Sequence, residues 1–401
     1  MNWNTICVGD VCKYTTSGGT PRSSVTSYYE PPTVPWLKTK EVNYCRIYQT
    51  ESYISQEGLD NSSAKLIPAN SVIVAMYGQG DTAGRVAINK VPVSTNQACC
   101  NLIIDPEKAD YEFVYYALST LYEKLVSLKN GGAQPNLNAQ IIRSVEIPFP
   151  PLETQHKIAA FLSAYDDLIE NNQKQIKLLE EAAQRLYKEW FVDLRFPGHE
   201  TTPIVDGIPE GWHESTVDDC SCILRRGISP KYSEDGPSIV INQKCIRQSV
   251  VDLNEARRQE KLYLPEMNLI DSDTVICSTG AGTLGRVGQI FGQQPNTTFD
   301  SHVTLVRASS IVGKQYLYQF LKSKQQYLQG MGKGSTNQLE LNRATIQELV
   351  LLIPSTEIRD TFERQAQPIH DQITTLSKQI VLLQEARDKL LPKLMSREIE
   401  V

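Results

Sequence analysis

Two stretches of the chain place apolar residues at alternating steps of four and three. The first runs through Ile158, Leu162, Tyr165, Ile169, Asn172, Ile176, Leu179, Ala183, Leu186 and Trp190, with Asn172 its only strongly polar member. Displaced by 204 residues, the same register gives Phe362, Ala366, Ile369, Ile373, Leu376, Ile380, Leu383, Arg387, Leu390 and Leu394, broken only at Arg387. A period of 3.5 residues held this long predicts helices that pack in a left-handed coiled coil, each running roughly 55 Å. Asn172 in such a seam fixes register at some cost in stability. Pro392 predicts a break or kink near the end of the second helix. An ordinary amphipathic bundle is the plainer alternative for both stripes.

Outside the stripes the pattern changes. Short apolar runs, Ser71 to Ala75 and Thr274 to Cys277, sit between glycines and prolines and predict strands. Helical patches follow at Tyr111 to Leu128 and Lys314 to Leu328. These runs belong to a tandem repeat, which governs the whole organisation. Val72-Ile-Val-Ala-Met-Tyr-Gly78-Gln-Gly80-Asp-Thr82-Ala-Gly84-Arg85-Val86 matches Thr274-Val-Ile-Cys-Ser-Thr-Gly280-Ala-Gly282-Thr283-Leu-Gly285-Arg286-Val287, with Asp81 as one extra residue in the first copy. Trp3 and Gly18-Gly19-Thr20-Pro21 correspond to Trp212 and Gly227-Ile-Ser-Pro230. Downstream, Gln134 to Asn138 corresponds to Gln338 to Asn342, and Pro150 to Pro354. The predicted fold is α+β: two similar mixed domains at residues 1–150 and 212–353, long helices at 151–196 and 354–401, and a linker at 197–211.

Gly280-Ala-Gly282-Thr-Leu-Gly285 satisfies the GxGxxG spacing of a dinucleotide site, which works only where the glycine turn opens a helix. Here Arg286-Val-Gly-Gln-Ile-Phe-Gly292 follows, rich in β-formers, and the first copy spoils the spacing. Both copies predict a tight strand-turn-strand loop, with Gly78, Gly80, Gly280 and Gly282 as backbone requirements. Gly332-Lys333-Gly334 lacks the hydroxyl residue a phosphate loop needs after its lysine, and no GxSxG, HExxH or kinase signature occurs. No amino-methyltransferase tetrapeptide is present either. No catalytic residue is assigned.

Nine cysteines without a CxxC pair and five scattered histidines predict reduced thiols and no metal site. No apolar run approaches the length of a membrane helix, and polar Asn2, Trp3 and Asn4 follow Met1, which predicts a cytoplasmic protein without a membrane partner. The net charge of -6 argues against strong binding to phosphate. Divided by region, residues 1–150 carry 12 basic and 13 acidic side chains and residues 212–353 carry 15 and 14, so the acid excess lies outside the two domains.

Two mixed domains, each followed by a heptad helix, resemble the specificity subunit of type I restriction-modification systems. Local strings add to the likeness: Ile147-Pro-Phe-Pro-Pro-Leu-Glu-Thr-Gln-His156, Leu186-Tyr-Lys-Glu-Trp-Phe-Val-Asp-Leu-Arg-Phe-Pro197, Gly207-Ile-Pro-Glu-Gly-Trp212 and the paired Gly-Arg-Val loops. The resemblance implies target-recognition domains that each read one half of a split, asymmetric double-stranded DNA sequence. It also implies that the two helices pack antiparallel as a ruler and seat two methyltransferase subunits. Motor-nuclease subunits would join the complex, with S-adenosylmethionine, ATP and Mg on the partners and no cofactor on this chain.

Residue types that read base edges, placed on loops, nominate Arg22, Lys38, Lys40 and Gln79 in the first domain and Lys231, Gln243 and Lys244 in the second. Arg85 and Arg286 recur in both copies, which suggests a shared structural or phosphate role. Ile158, Leu162, Ile169, Asn172, Ile176, Leu179, Leu186, Trp190, Phe362, Ile369, Ile373, Leu376, Ile380, Leu383 and Leu390 are the helix-pairing and partner candidates. A recognition subunit whose single partner combines methylation and cleavage remains open, as do a coiled-coil adaptor without DNA and, most distantly, a dinucleotide enzyme.

Overall fold

The computed structural model describes residues 3–78, 80–129, 136–247, 249–280, 282–332 and 339–401. The chain divides into two compact units, residues 1–169 with 382–401, and residues 170–381.

The first unit is built on strands β1 (Cys12–Ser17), β2 (Ser71–Ala75), β3 (Val86–Asn89) and β4 (Cys99–Ile104). They lie in the order β1-β4-β2-β3, and Cys45–Ile47 joins β3 in parallel at the edge. Successive strand side chains point to opposite faces. Val72, Val74, Val86, Ile88, Cys100 and Leu102 accordingly enter one core, shared with helix α1 (Tyr111–Ser119). Ile73, Ala75, Ala87, Cys99 and Ile103 enter a second, against Leu37 and Ile67. Both faces are covered, which explains why these strands read as continuous apolar runs.

The second unit repeats the arrangement with β5 (Ser221–Arg226), β6 (Thr274–Cys277), β7 (Val287–Gln289) and β8 (Val303–Ala308), in the order β5-β8-β6-β7. The registers correspond: Val74 faces Val86, and Ile276 faces Val287. Helix α3 (Lys314–Ser323) occupies the place of α1 but starts differently. Asp110 caps α1, accepting from the Phe113 N–H at 2.9 Å. Gly313 stands at the same point before α3, and Glu363 accepts instead from the N–H groups of Gln315 (3.2 Å) and Tyr316 (2.9 Å). A Cβ on Gly313 would lie 2.1 Å from a Glu363 oxygen, so the glycine makes room for the borrowed cap.

The long helices are α2 (Leu152–Tyr187) and α4 (Thr356–Met395), 36 and 40 residues. At 1.5 Å per residue these span roughly 54 and 60 Å, as the stripes predict. In the first unit, Ile158 and Leu162 share a core with Leu390 and Leu394, and Asp166 pairs with Arg387 at 2.5 Å. In the second, Ile176 packs with Ile373 and Leu376, and Trp190 lies 5.8 Å from Phe362. Within each unit, residues later in α2 meet residues earlier in α4, so the segments are antiparallel. Asn172 donates to Gln379 at 3.2 Å, a polar pairing suited to fixing register.

Of the break or kink expected at Pro392 near the end of α4, the break does not occur at the proline itself. The helix continues to Met395, and the Ser396 N–H reaches the Pro392 carbonyl at 3.0 Å. Burial of Leu394 and Met395 offsets the lost hydrogen bond. Among the described residues no helix is long and apolar enough to cross a membrane.

Candidate nucleic-acid interface

At one end of each sheet, backbone hydrogen bonds tie several loops into a single edge. In the first unit Gly19 donates to the Thr95 carbonyl (2.9 Å), Asn96 to Leu37 (3.0 Å) and Met76 to Ala98 (2.8 Å). In the second, Gly227 donates to Val303 (3.1 Å), Asp300 to Ile241 (2.9 Å) and Ser278 to His302 (2.8 Å). A Cβ on Gly18 would sit 2.0 Å from the Thr95 carbonyl oxygen, and one on Gly227 2.1 Å from that of Phe299. Only glycine permits this approach, which accounts for its recurrence in the repeat.

The two glycine loops are hairpins whose turns match. Gly84 donates to the Ala75 carbonyl and Gly285 to that of Cys277, both at 2.8 Å, with φ of 96° and 73°. Arg85 donates from its N–H to Thr82, and Arg286 to Thr283, both at 3.1 Å. A strand follows each loop rather than a helix, so the dinucleotide geometry is not formed.

The side chains then diverge. Arg85 is held by Asn43 (2.7 Å) and by Asp81 (2.6 Å), the residue with no counterpart in the second loop. The Arg286 guanidinium makes no hydrogen bond or ion pair among the described residues. The two arginines thus occupy matching places in the backbone turn, while their guanidinium groups have different surroundings.

Arg22 is exposed on the loop after Gly18-Gly19. The Lys38 ammonium lies 5.0 Å over the Trp36 ring, and Lys40 is exposed and paired with Glu51. Gln79 lies outside the described residues. Lys231 is exposed and paired with Glu260. The Gln243 side chain comes within 3.9 Å of where a Gly280 Cβ would stand, so it belongs to the loop edge. Lys244 is exposed in the adjoining turn, where its N–H donates to Asn242 at 2.8 Å. The edge thus unites Gln243, Lys244 and the Gly280 loop with its Arg286, and separately Lys38 with the Gly78 loop.

The cysteines are free, and burial pushes the Cys100 and Cys277 thiols up to about 12, well away from thiolate chemistry at neutral pH. Burial likewise raises the Asp300 carboxyl, partly opposed by the His302 N–H and imidazole.

Residues 1–181 match the family model described as the type I restriction modification DNA specificity domain. Over 397 residues the chain is 28% identical to the type I restriction enzyme MjaIX specificity subunit of Methanocaldococcus jannaschii, covering 96% of this chain and 90% of that protein. It is 25% identical to the HindI specificity subunit of Haemophilus influenzae, covering 72% and 77% of the two chains. Over nearly its whole length the chain is thus similar to specificity subunits of type I restriction enzymes. The crystal structure of the type I restriction-modification S subunit from M. genitalium, 18% identical, shares this fold with a TM-score of 0.57, covering 98% and 96% of the two chains.

Several residues carried no signal in the sequence pattern. Asp166 lies beside the heptad stripe and Phe191 one position past it, yet both are buried. Arg257 stacks on Tyr232 with its guanidinium carbon 3.6 Å from the ring centroid. Their separation of 25 residues left no local signal for that contact.

Proposed function

We propose that this chain is a specificity subunit that carries the DNA address of its complex and no chemistry of its own. Each recognition domain reads one half of a split, asymmetric duplex target, and the helices set the gap between halves. The helices also seat two methyltransferase subunits, through which motor-nuclease subunits join. S-adenosylmethionine, ATP and Mg belong to those partners, and the complex works in the cytoplasm.

One observation carries this reading. The same order of four strands and the same glycine hairpin occur twice, while the side chains around the hairpin differ, as Arg85 and Arg286 do. A repeated frame with changed surface residues suits two readers of unlike sequences. The repeat is tested by co-expressing the chain with its methyltransferase in a methylation-free host and mapping modified bases. A split motif with an undefined central gap is expected, and a stable complex that modifies nothing would contradict the reading.

Electrostatics adds an expected result. Within the second domain, Arg225, Arg226, Lys231 and Arg247 are each neutralised by a glutamate. The isolated chain should therefore bind duplex DNA weakly, with a shallow dependence on salt. Since the slope of log K against log salt is about -0.9 per phosphate neutralised, the slope should steepen several-fold once the methyltransferase is bound. Titrations of labelled duplex at several salt concentrations would measure it, and equal slopes would contradict the expectation.

A further inference from the structure

We infer that Arg257, braced on Tyr232, reads a guanine in the half-site recognised by residues 212–353. This rests on the proposed function and names a base-reading residue within it.

Arg257 opens a short strand, Arg257–Gln259, that pairs with Ser238–Ile241. Gln259 is buried and bonded to Ser238, while Arg257 and Arg258 are exposed. Arg258 is occupied, donating to the Gly236 carbonyl at 3.0 Å. Arg257 has no acidic partner among the described residues, unlike Arg225, Arg226, Lys231 and Arg247. Its guanidinium carbon instead lies over the ring of Tyr232, itself 40% exposed, and its charge and a side-chain hydrogen bond act on the Tyr232 phenol.

The Tyr232 segment belongs to the loop edge. It continues from Gly227 and Ile228, which bond to Val303 and Phe299, and Tyr232 bridges to Gln259. Asp300, also on the edge, acts on Tyr232 by raising its phenol further above its ordinary value, after burial as the larger cause. The stacked pair is therefore part of the surface that carries Gln243 and the Gly280 loop.

A guanidinium presents paired N–H donors in one plane, and guanine offers O6 and N7 as paired acceptors in the major groove. The ring of Tyr232 fixes that plane before contact, which lowers the entropy lost on binding. An arginine whose charge is already cancelled by a carboxylate would have to break that pair first. Arg257 combines exposure, a brace on Tyr232 and a fork that no carboxylate holds, whereas Lys231 is a point charge paired with Glu260.

The test uses the full complex with its methyltransferase, comparing wild type with Arg257→Lys, Arg257→Gln and Tyr232→Leu by genome-wide methylation mapping. Arg257→Lys keeps the charge and loses the fork. It should reduce discrimination at one guanine of one half-site by about 5- to 150-fold, leaving the other half unchanged. Tyr232→Leu should weaken the same position to a smaller extent. The unchanged half-site reports that the variant complex is folded and assembled. An unaltered motif, or an equal loss of modification at all sequences, overturns the inference while leaving the split-target reading intact. Wild type without a split motif would fail that reading itself.

Discussion

Replacing Phe362 by alanine is expected to cost about 3–5 kcal/mol of stability in the second unit, the usual range for removing a buried phenylalanine. Phe362 is fully buried at the start of the α4 seam. Its ring lies 4.9 Å from Phe191, 5.8 Å from Trp190 and 6.3 Å from Tyr316. Phe191 in turn meets Tyr316 at 4.5 Å and Trp212 at 5.7 Å. The cluster joins the π-helical turn Lys188–Val192 that follows α2, the start of α4 and α3, so an empty ring volume cannot be filled by moving one side chain. Leu178, at 64% exposure, supplies the control. Its replacement by alanine should change stability by about 0.5 kcal/mol or less. Hydrogen exchange of residues 170–381 measures both, and equal effects would contradict the packing described.

Arg387→Met should be the most damaging polar substitution, costing about 3 kcal/mol, the low end for breaking a buried ion pair. Arg387 donates to Asp166 at 2.5 Å, with side-chain exposures of 19% and 10%. Burial alone would lower the arginine pKa, and Asp166 more than offsets this, so Arg387 stays charged. Without it, Asp166 keeps the Tyr116 hydroxyl, which donates at 2.5 Å, but remains a buried carboxylate facing the seam. Asp166→Ala should cost less, because Arg387 retains Asp388 at 2.8 Å. Combining Asp166→Leu with Arg387→Met should recover much of the loss. Urea unfolding of the single and double variants reads this ordering, and an additive double variant would exclude coupling.

The heptad stripes and the tandem repeat were legible because they depend on local periodicity. Strands β2 and β6 fall on the runs Ser71 to Ala75 and Thr274 to Cys277, and both helical patches form, with short breaks at Thr120–Leu121 and Lys324. Arg387 appeared as a flaw in a stripe, since its partner Asp166 lies 221 positions away and beside the facing stripe. Pro392 marks the end of α4 only to within three residues, because Leu394 and Met395 beyond it are buried. The Gly313–Glu363 substitution for Asp110 was hidden for a similar reason: a helix cap can arrive from another helix. Candidate DNA contacts were the least legible. Lys40 and Lys231 look alike as loop cations, but each folds against a glutamate, whereas Arg257 folds against a ring.

The central claim is that two recognition domains read two half-sites independently. Its most direct measurement is methylation mapping after residues 212–353 are exchanged for the corresponding domain of another specificity subunit. The account predicts that one half of the motif changes completely while the other half and the gap remain. A motif altered in both halves, or in neither, would contradict it.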